Sequence, residues 1–169
     1  LGWRFDREVL REALDATCPA FGACIDAGYE LRVCTGRHRE EIELPIRRLG
    51  LDRFLGSEQL TCADDVDLAE RSTGQHPLGK PHWFSPACSA LGYERAVAVL
   101  EGAEIPDRPD ARVYVGDAAA DYRAVLATNG LGLPMRYVHV RSGASWNELE
   151  RTIALDPICL AVVDHLGEV

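Results

Sequence analysis

Residues 113–121 read Val113-Tyr114-Val115-Gly116-Asp117-Ala118-Ala119-Ala120-Asp121, and this stretch decides the fold. Val113 to Val115 is a short apolar, β-branched and aromatic run, as expected of a strand covered on both faces. Gly116 allows a tight turn. Ala118 to Ala120 are strong helix formers, and the i, i+4 spacing puts Asp117 and Asp121 on neighbouring parts of one surface. Two carboxylates at the carboxyl end of a parallel strand, beside a helix N-terminus, form a seat for Mg²⁺. The same residues also suit plain capping, with Asp117 as an N-cap and Asp121 as a solvated acid of the first turn.

The surrounding composition bounds the choices. A chain of 169 residues is one domain by the length prior and can bury a substantial core. Its 47% hydrophobic and 27% charged residues are those of an ordinary soluble globular protein. The net charge of −9 argues against nucleic acid or an anionic membrane held by bulk electrostatics, but not against a small phosphorylated substrate held by local cations. No apolar run approaches the ~20 residues of a membrane span. The charged, amphipathic N-terminus does not read as a signal peptide. The six cysteines (Cys18, Cys24, Cys34, Cys62, Cys88 and Cys159) include no C-x-x-C pair, which speaks against a zinc knuckle or thioredoxin-type site. They sit in apolar patterns, so reduced thiols in a cytoplasmic setting are expected, with a disulfide left open. The chain begins with Leu1, as a piece of a longer protein would.

Outward from the central stretch, strands alternate with helices. Residues 6–16 form an amphipathic helix with Asp6 as N-cap, and Pro19 opens a second helix, 20–27, closed by Gly28. Residues 29–34 are a strand that stops at Thr35-Gly36-Arg37. Residues 40–49 are a helix expected to kink or start late at Pro45, with Gly50 as its cap. A connector at 51–55 leads to a short strand at 59–62. Residues 63–78, polar and containing Ser72-Thr73-Gly74, are expected to be an exposed loop. Gly79-Lys80-Pro81 precedes helices at about 83–91 and 93–101, separated by Gly92. A loop at 105–110 leads into the central strand and its helix, 121–127. A strand at 136–140, a helix at 146–153 and a short mixed tail follow. The pattern is α/β with a mainly parallel sheet.

Three polar clusters then stand at matching places. Thr35 ends one strand, Lys80 precedes one helix, and Asp117 and Asp121 follow another strand. In an open α/β sheet such positions can converge on one crevice. A hydroxyl, an ammonium and a carboxylate-bound Mg²⁺ together would neutralise and orient phosphoryl oxygens.

The order LRVCTGR, GKPHWFSPACSALG and VYVGDAAADYRAV resembles the second, third and fourth motifs of the haloacid dehalogenase-like hydrolase superfamily. CPAFGACIDAGYELRVCTGR resembles the helix and strand before the threonine in members whose cap is inserted early (C1-type), and LGLDRFLGSEQLTCADDV the stretch leading toward the lysine. The likeness spans roughly residues 18–140. It implies a Rossmann-like three-layer αβα sandwich. It also implies roles. Thr35 would hydrogen-bond the transferred phosphoryl group, Lys80 would balance charge on nucleophile and phosphate, and Gly36 and Arg37 would shape the phosphate-side loop. Asp117 would bind Mg²⁺ directly, and Asp121 would bind it or its water. Residues 1–17 would be a remnant of a helical cap and 18–169 the core domain.

One motif is not found. Such enzymes carry a nucleophilic aspartate in D-x-D-x-T/V at the end of a first strand placed centrally, between the strands ending at Thr35 and Asp117. The nearest candidate is Asp6, in a segment that reads more naturally as a capped helix. Three readings follow. The chain is the C-terminal part of a longer enzyme, another polypeptide supplies the strand, or the domain is a non-catalytic module binding a ligand or partner. The first is the favoured expectation: a Mg²⁺-dependent phosphatase of a small phosphorylated metabolite, acting through an aspartyl-phosphate. Thr35-Gly36-Arg37 and the paired aspartates point to phosphoryl transfer rather than dehalogenation, which needs no Mg²⁺; a phosphomutase stays open. The five histidines are too scattered for a metal motif.

Overall fold

The computed structural model describes residues 7–105, 111–141 and 147–169. Asp6, most of the loop expected at 105–110 and the expected helix start at Trp146 lie outside the described residues.

The fold is mixed α/β, with seven α-helices and two small parallel sheets among the described residues. In chain order the elements are α1 (Arg7–Asp26), β1 (Val33–Cys34), α2 (Arg39–Arg48), β2 (Leu60–Thr61), α3 (Ala63–Thr73), α4 (Phe84–Leu91), α5 (Tyr93–Leu100), β3 (Val113–Gly116), α6 (Ala119–Gly130), β4 (Arg136–Val140), α7 (Asn147–Leu155) and β5 (Cys159–Val163). Short 3₁₀ turns lie at Leu51–Arg53, Ser57–Gln59 and Leu166–Glu168. No described helix is long and apolar enough to cross a membrane.

Several local expectations need correction. The two N-terminal helices are one, α1, which runs through Pro19. A proline forfeits its own N–H bond, and the alanines on both sides keep the helix going. α2 likewise contains Pro45 on its exposed side, where water can take the carbonyl left free. The stretch expected to be a loop from residue 63 begins with helix α3. Asp65 Oδ2 accepts the N–H of Cys62 at 2.7 Å, and Gly74 closes the helix at φ 71°. The polar residues of α3 face outward while Val66 and Ala69 are buried, so composition hid an amphipathic helix. The tail contains β5, a strand not expected from the sequence.

β1 pairs with β2, Val33 opposite Leu60 and Cys34 opposite Thr61. β3 pairs with β4 from Val113–Arg136 to Gly116–His139, and β4 pairs with β5 with a register shift at Tyr137/Val138. All these pairs are parallel. Among the described residues, β1 has β2 as its only partner and β3 has β4, so β1 and β3 each keep an open edge, as do β2 and β5 at the far sides.

Helix α4 packs against β1 and β2 and also against α5 and α6, so it links the smaller sheet to the helix that covers the larger one. Ala87 of α4 lies in a core with Tyr122, Val125, Leu133, Met135, Tyr137 and Ile153. Phe84 and Cys88, on the same helix, belong to a second core with Val66, Ala69, Leu78 and Ala96, against which Trp83 and Tyr93 pack. A smaller cluster of Ile46, Leu60 and Cys62 lies by β1–β2. All six cysteines are free thiols.

Candidate functional site

The site is assembled from three distant segments. Lys80, in the turn before α4, places its Nζ 2.8 Å from the carbonyl oxygen of Cys34 and 2.7 Å from Asp121 Oδ1. Those contacts bridge 46 and 41 residues of chain and join the carboxyl end of β1 to the start of α6. The lysine and aspartate side chains are 17% and 10% exposed, so the pair is shielded well enough to matter energetically.

Asp121 is more heavily engaged than its place in a first helical turn suggests. Its Oδ1 also accepts the phenol of Tyr114 at 3.0 Å, and its Oδ2 accepts the backbone N–H of Ala118 at 3.1 Å. That last bond is half of a cap in which Ala118, not Asp117, is the N-cap of α6. Asp121 is 7% exposed rather than solvated. Gly116 makes room for it: a Cβ at position 116 would meet Asp121 Cβ at 2.7 Å. Asp117, by contrast, is exposed, and no hydrogen bond or ion pair holds its carboxylate among the described residues.

On the β1 side, the Thr35 N–H donates to Thr61 O at 2.9 Å, extending the β1–β2 ladder by one residue. Thr35 Oγ1 accepts the N–H of Arg37 at 3.2 Å, which folds residues 35–37 into a tight turn and leaves the hydroxyl hydrogen available as a donor. Gly36 and Arg37 are exposed, and a Cβ at position 36 would meet nothing. The carbonyl of Arg37 accepts the N–H of Ala63 at 2.9 Å, tying the turn to the start of α3. Thus Lys80 meets Asp121 directly and reaches the residue preceding Thr35, whereas Gly36 and Arg37 stand on the exposed rim.

Tyr114 and Cys34 add to this set. Tyr114 was visible only as a strand former, yet its phenol donates to Asp121. Period-two alternation puts residues 114 and 116 on one face of β3, the face that Gly116 opens to Asp121, and that was the available signal. Burial, with Cys34 and Asp121 adding to it, pushes the Tyr114 phenol far up, so it stays a proton donor. Burial also pushes the Cys34 thiol up, with Lys80 opposing it. His82, two residues beyond Lys80, has its pKa lowered by burial, and its Nδ1 accepts the N–H of Phe84 at 3.1 Å.

Mg²⁺ takes one or two carboxylates and completes its octahedron with water and phosphate oxygens. Among the described residues no group of three or more His, Cys, Asp or Glu side chains is placed to hold a metal. Asp117 has a carboxylate without a hydrogen-bond or ion-pair partner among the described residues, whereas Asp121 already receives three donors. A single carboxylate, Asp117, would have to hold such an ion, with water filling its other positions.

No family model matches the chain, and no curated protein matches it. A protein solved by X-ray crystallography for the Northeast Structural Genomics Consortium is similar in structure, with a TM-score of 0.74 and 26% sequence identity. The match covers 92% of this chain and 40% of that protein, so this chain spans well under half of its length.

Proposed function

We propose that the chain forms most of a haloacid dehalogenase-like domain with a Rossmann-like, three-layer core, serving a Mg²⁺-dependent phosphatase of a small phosphorylated metabolite. The observation that carries this reading is the position of Lys80. One ammonium touches the end of β1, beside Thr35, and the carboxylate that opens α6, so the three motif segments meet at the carboxyl ends of two parallel sheets.

In this reading Lys80 and the Thr35 hydroxyl bind and orient the phosphoryl oxygens, and the turn at Gly36 and Arg37 closes over them. Asp117 holds the metal, which when bound would neutralise phosphoryl charge. Asp121 keeps the ammonium aimed at the crevice. The open edges of β1 and β3 support a further element. A strand added between them would join the two sheets into one and would satisfy backbone groups on both sides. A carboxylate at the end of such a strand would arrive between Thr35 and Asp117, where an attacking aspartate is needed.

The second reading is a domain that binds a phosphate-bearing ligand or a partner without catalysis. It is favoured by the single free carboxylate in the described crevice. The two readings separate in one assay. The 169-residue chain alone should release no phosphate from an aryl phosphate in Mg²⁺. The chain fused to an upstream hydrophobic strand ending in Asp-x-Asp should do so, and its Asp117→Asn variant should not. Turnover by the chain alone would place the nucleophile within it. A fusion that folds and binds phosphate but never turns over would favour the binding module.

A further inference from the structure

We infer that Tyr114 is a positioning residue that aims the Lys80 ammonium at the crevice, leaving one of its N–H donors for an incoming oxyanion. The inference rests on the phosphate-site reading of Lys80 given above, and it adds a residue with no place in that reading.

An ammonium has three donors and no acceptor. Among the described residues two are spoken for, by Cys34 O at 2.8 Å and Asp121 Oδ1 at 2.7 Å. The third direction is set by what surrounds the nitrogen. The Tyr114 ring takes one side, with Nζ over it at 5.4 Å from the centroid, within the range of a cation–π attraction. The Tyr114 hydroxyl then binds the very oxygen that holds the lysine, at 3.0 Å. That second bond fixes the carboxylate in the rotation at which Oδ1 meets Nζ and Oδ2 meets the Ala118 N–H. The phenol ring lies nearly parallel to that of Tyr137, 6.3 Å between centroids and 19° between planes. Tyr137 is anchored in turn, being fully buried and donating to Gly116 O at 3.0 Å. A rigid aromatic pair on the three-stranded sheet therefore orients a flexible lysine that reaches across to the two-stranded one. A phenylalanine at 114 would keep the ring and the stacking but release the carboxylate, so the hydroxyl is the part to test.

The test uses the whole chain and inorganic phosphate at fixed pH and ionic strength. In wild type, the Lys80 ammonium should exchange its hydrogens slowly enough to give a resolved ¹H–¹⁵N NMR signal, which shifts as phosphate is added. In Tyr114→Phe, with the melting temperature measured alongside, that signal should broaden away. Phosphate affinity should fall about tenfold, the scale of one hydrogen bond to a charged group. Lys80→Met should abolish phosphate binding. An unchanged ammonium signal in Tyr114→Phe would overturn the positioning role and leave the phosphate site standing. Phosphate affinity equal in wild type and Lys80→Met would remove the phosphate site, while loss of the ammonium signal would still show that Tyr114 orders the lysine.

Discussion

The two sheets differ in how much of their own support they contain. β3–β4–β5 has strands of four to five residues, laid over a core in which Val125, Tyr137 and Ile153 are wholly buried. β1–β2 has two residues in each strand, and its local cluster is Ile46, Leu60 and Cys62. The larger sheet has helices of its own, α6 against β3 and β4 and α7 against β5, and α4 adds Ala87 to the same core. The smaller one depends on α4 and on the lysine that crosses to α6. A sheet of two short strands is marginal by itself, so the β1–β2 side should yield before the β3–β4–β5 side.

The widest gap should appear in the cores. Tyr137→Ala should cost about 4 kcal/mol and Ile46→Ala about 2 kcal/mol, because the first empties a dense aromatic site and the second a small peripheral cluster. Urea midpoints measure both, and equal costs would break the contrast. A smaller difference separates the two aspartates. Asp121→Asn should cost about 2 kcal/mol, since it leaves the buried ammonium without its anion, whereas exposed Asp117→Asn should stay within about 0.5 kcal/mol. In a protein carrying the added strand, calorimetry should show Mg²⁺ binding lost in Asp117→Asn. Retained Mg²⁺ affinity would sink the metal assignment.

The smallest effect is a difference in pH response. On α3, next to β2, Asp64 is held below its ordinary 3.8, chiefly by the Arg39 N–H. Glu70 is held below its ordinary 4.5, first by the Leu78 N–H and then by His76. A depressed carboxyl contributes stability that is present above its unfolded value and lost as pH falls through the folded one, so this side should loosen below about pH 4.5. The opposite half carries raised phenols. Tyr122 is pushed up to about 12 by burial and by donating to Asp156, and burial raises Tyr137 and Tyr114 as well. Their contribution is complete below the ordinary 10.0 and is lost as pH rises through the folded values. NMR intensities of Ile46 and Thr61 should therefore fade first in acid, and those of Val125 and Val138 first in alkali. Simultaneous loss at both extremes would mean the halves are one cooperative unit.

The parts of this fold legible in the sequence are those with strong local signals. β3 is a compact apolar run before a glycine turn, β4 a short segment of Tyr and Val after Pro134, and Gly28, Gly50 and Gly92 mark helix boundaries with positive φ. Helix α3 was hidden because acids and hydroxyls dominate its composition while only a narrow stripe is buried. β5 was hidden because its five residues follow a helix closely and carry no alternating pattern that a short tail would not also show. For the site, Thr35, Lys80, Asp117 and Asp121 could be nominated by order along the chain. That Lys80 would take Asp121 as its partner could not, since spacing says nothing about a contact made across 41 residues. Nor could the role of Tyr114, because an aromatic in a strand is first of all a packing residue.

Gly116 carries a consequence for how this chain could change over time. Its missing methyl is the clearance that lets Asp121 lie against β3, and Asp121 in turn holds a lysine from another part of the chain. Position 116 is thus a structural bottleneck, closed to alanine even under selection for folding alone. Position 117, one residue on, is free to drift under that same selection and would be closed only if it holds the proposed metal. Adjacent residues of one turn would carry separate histories, one written by the fold and the other by chemistry.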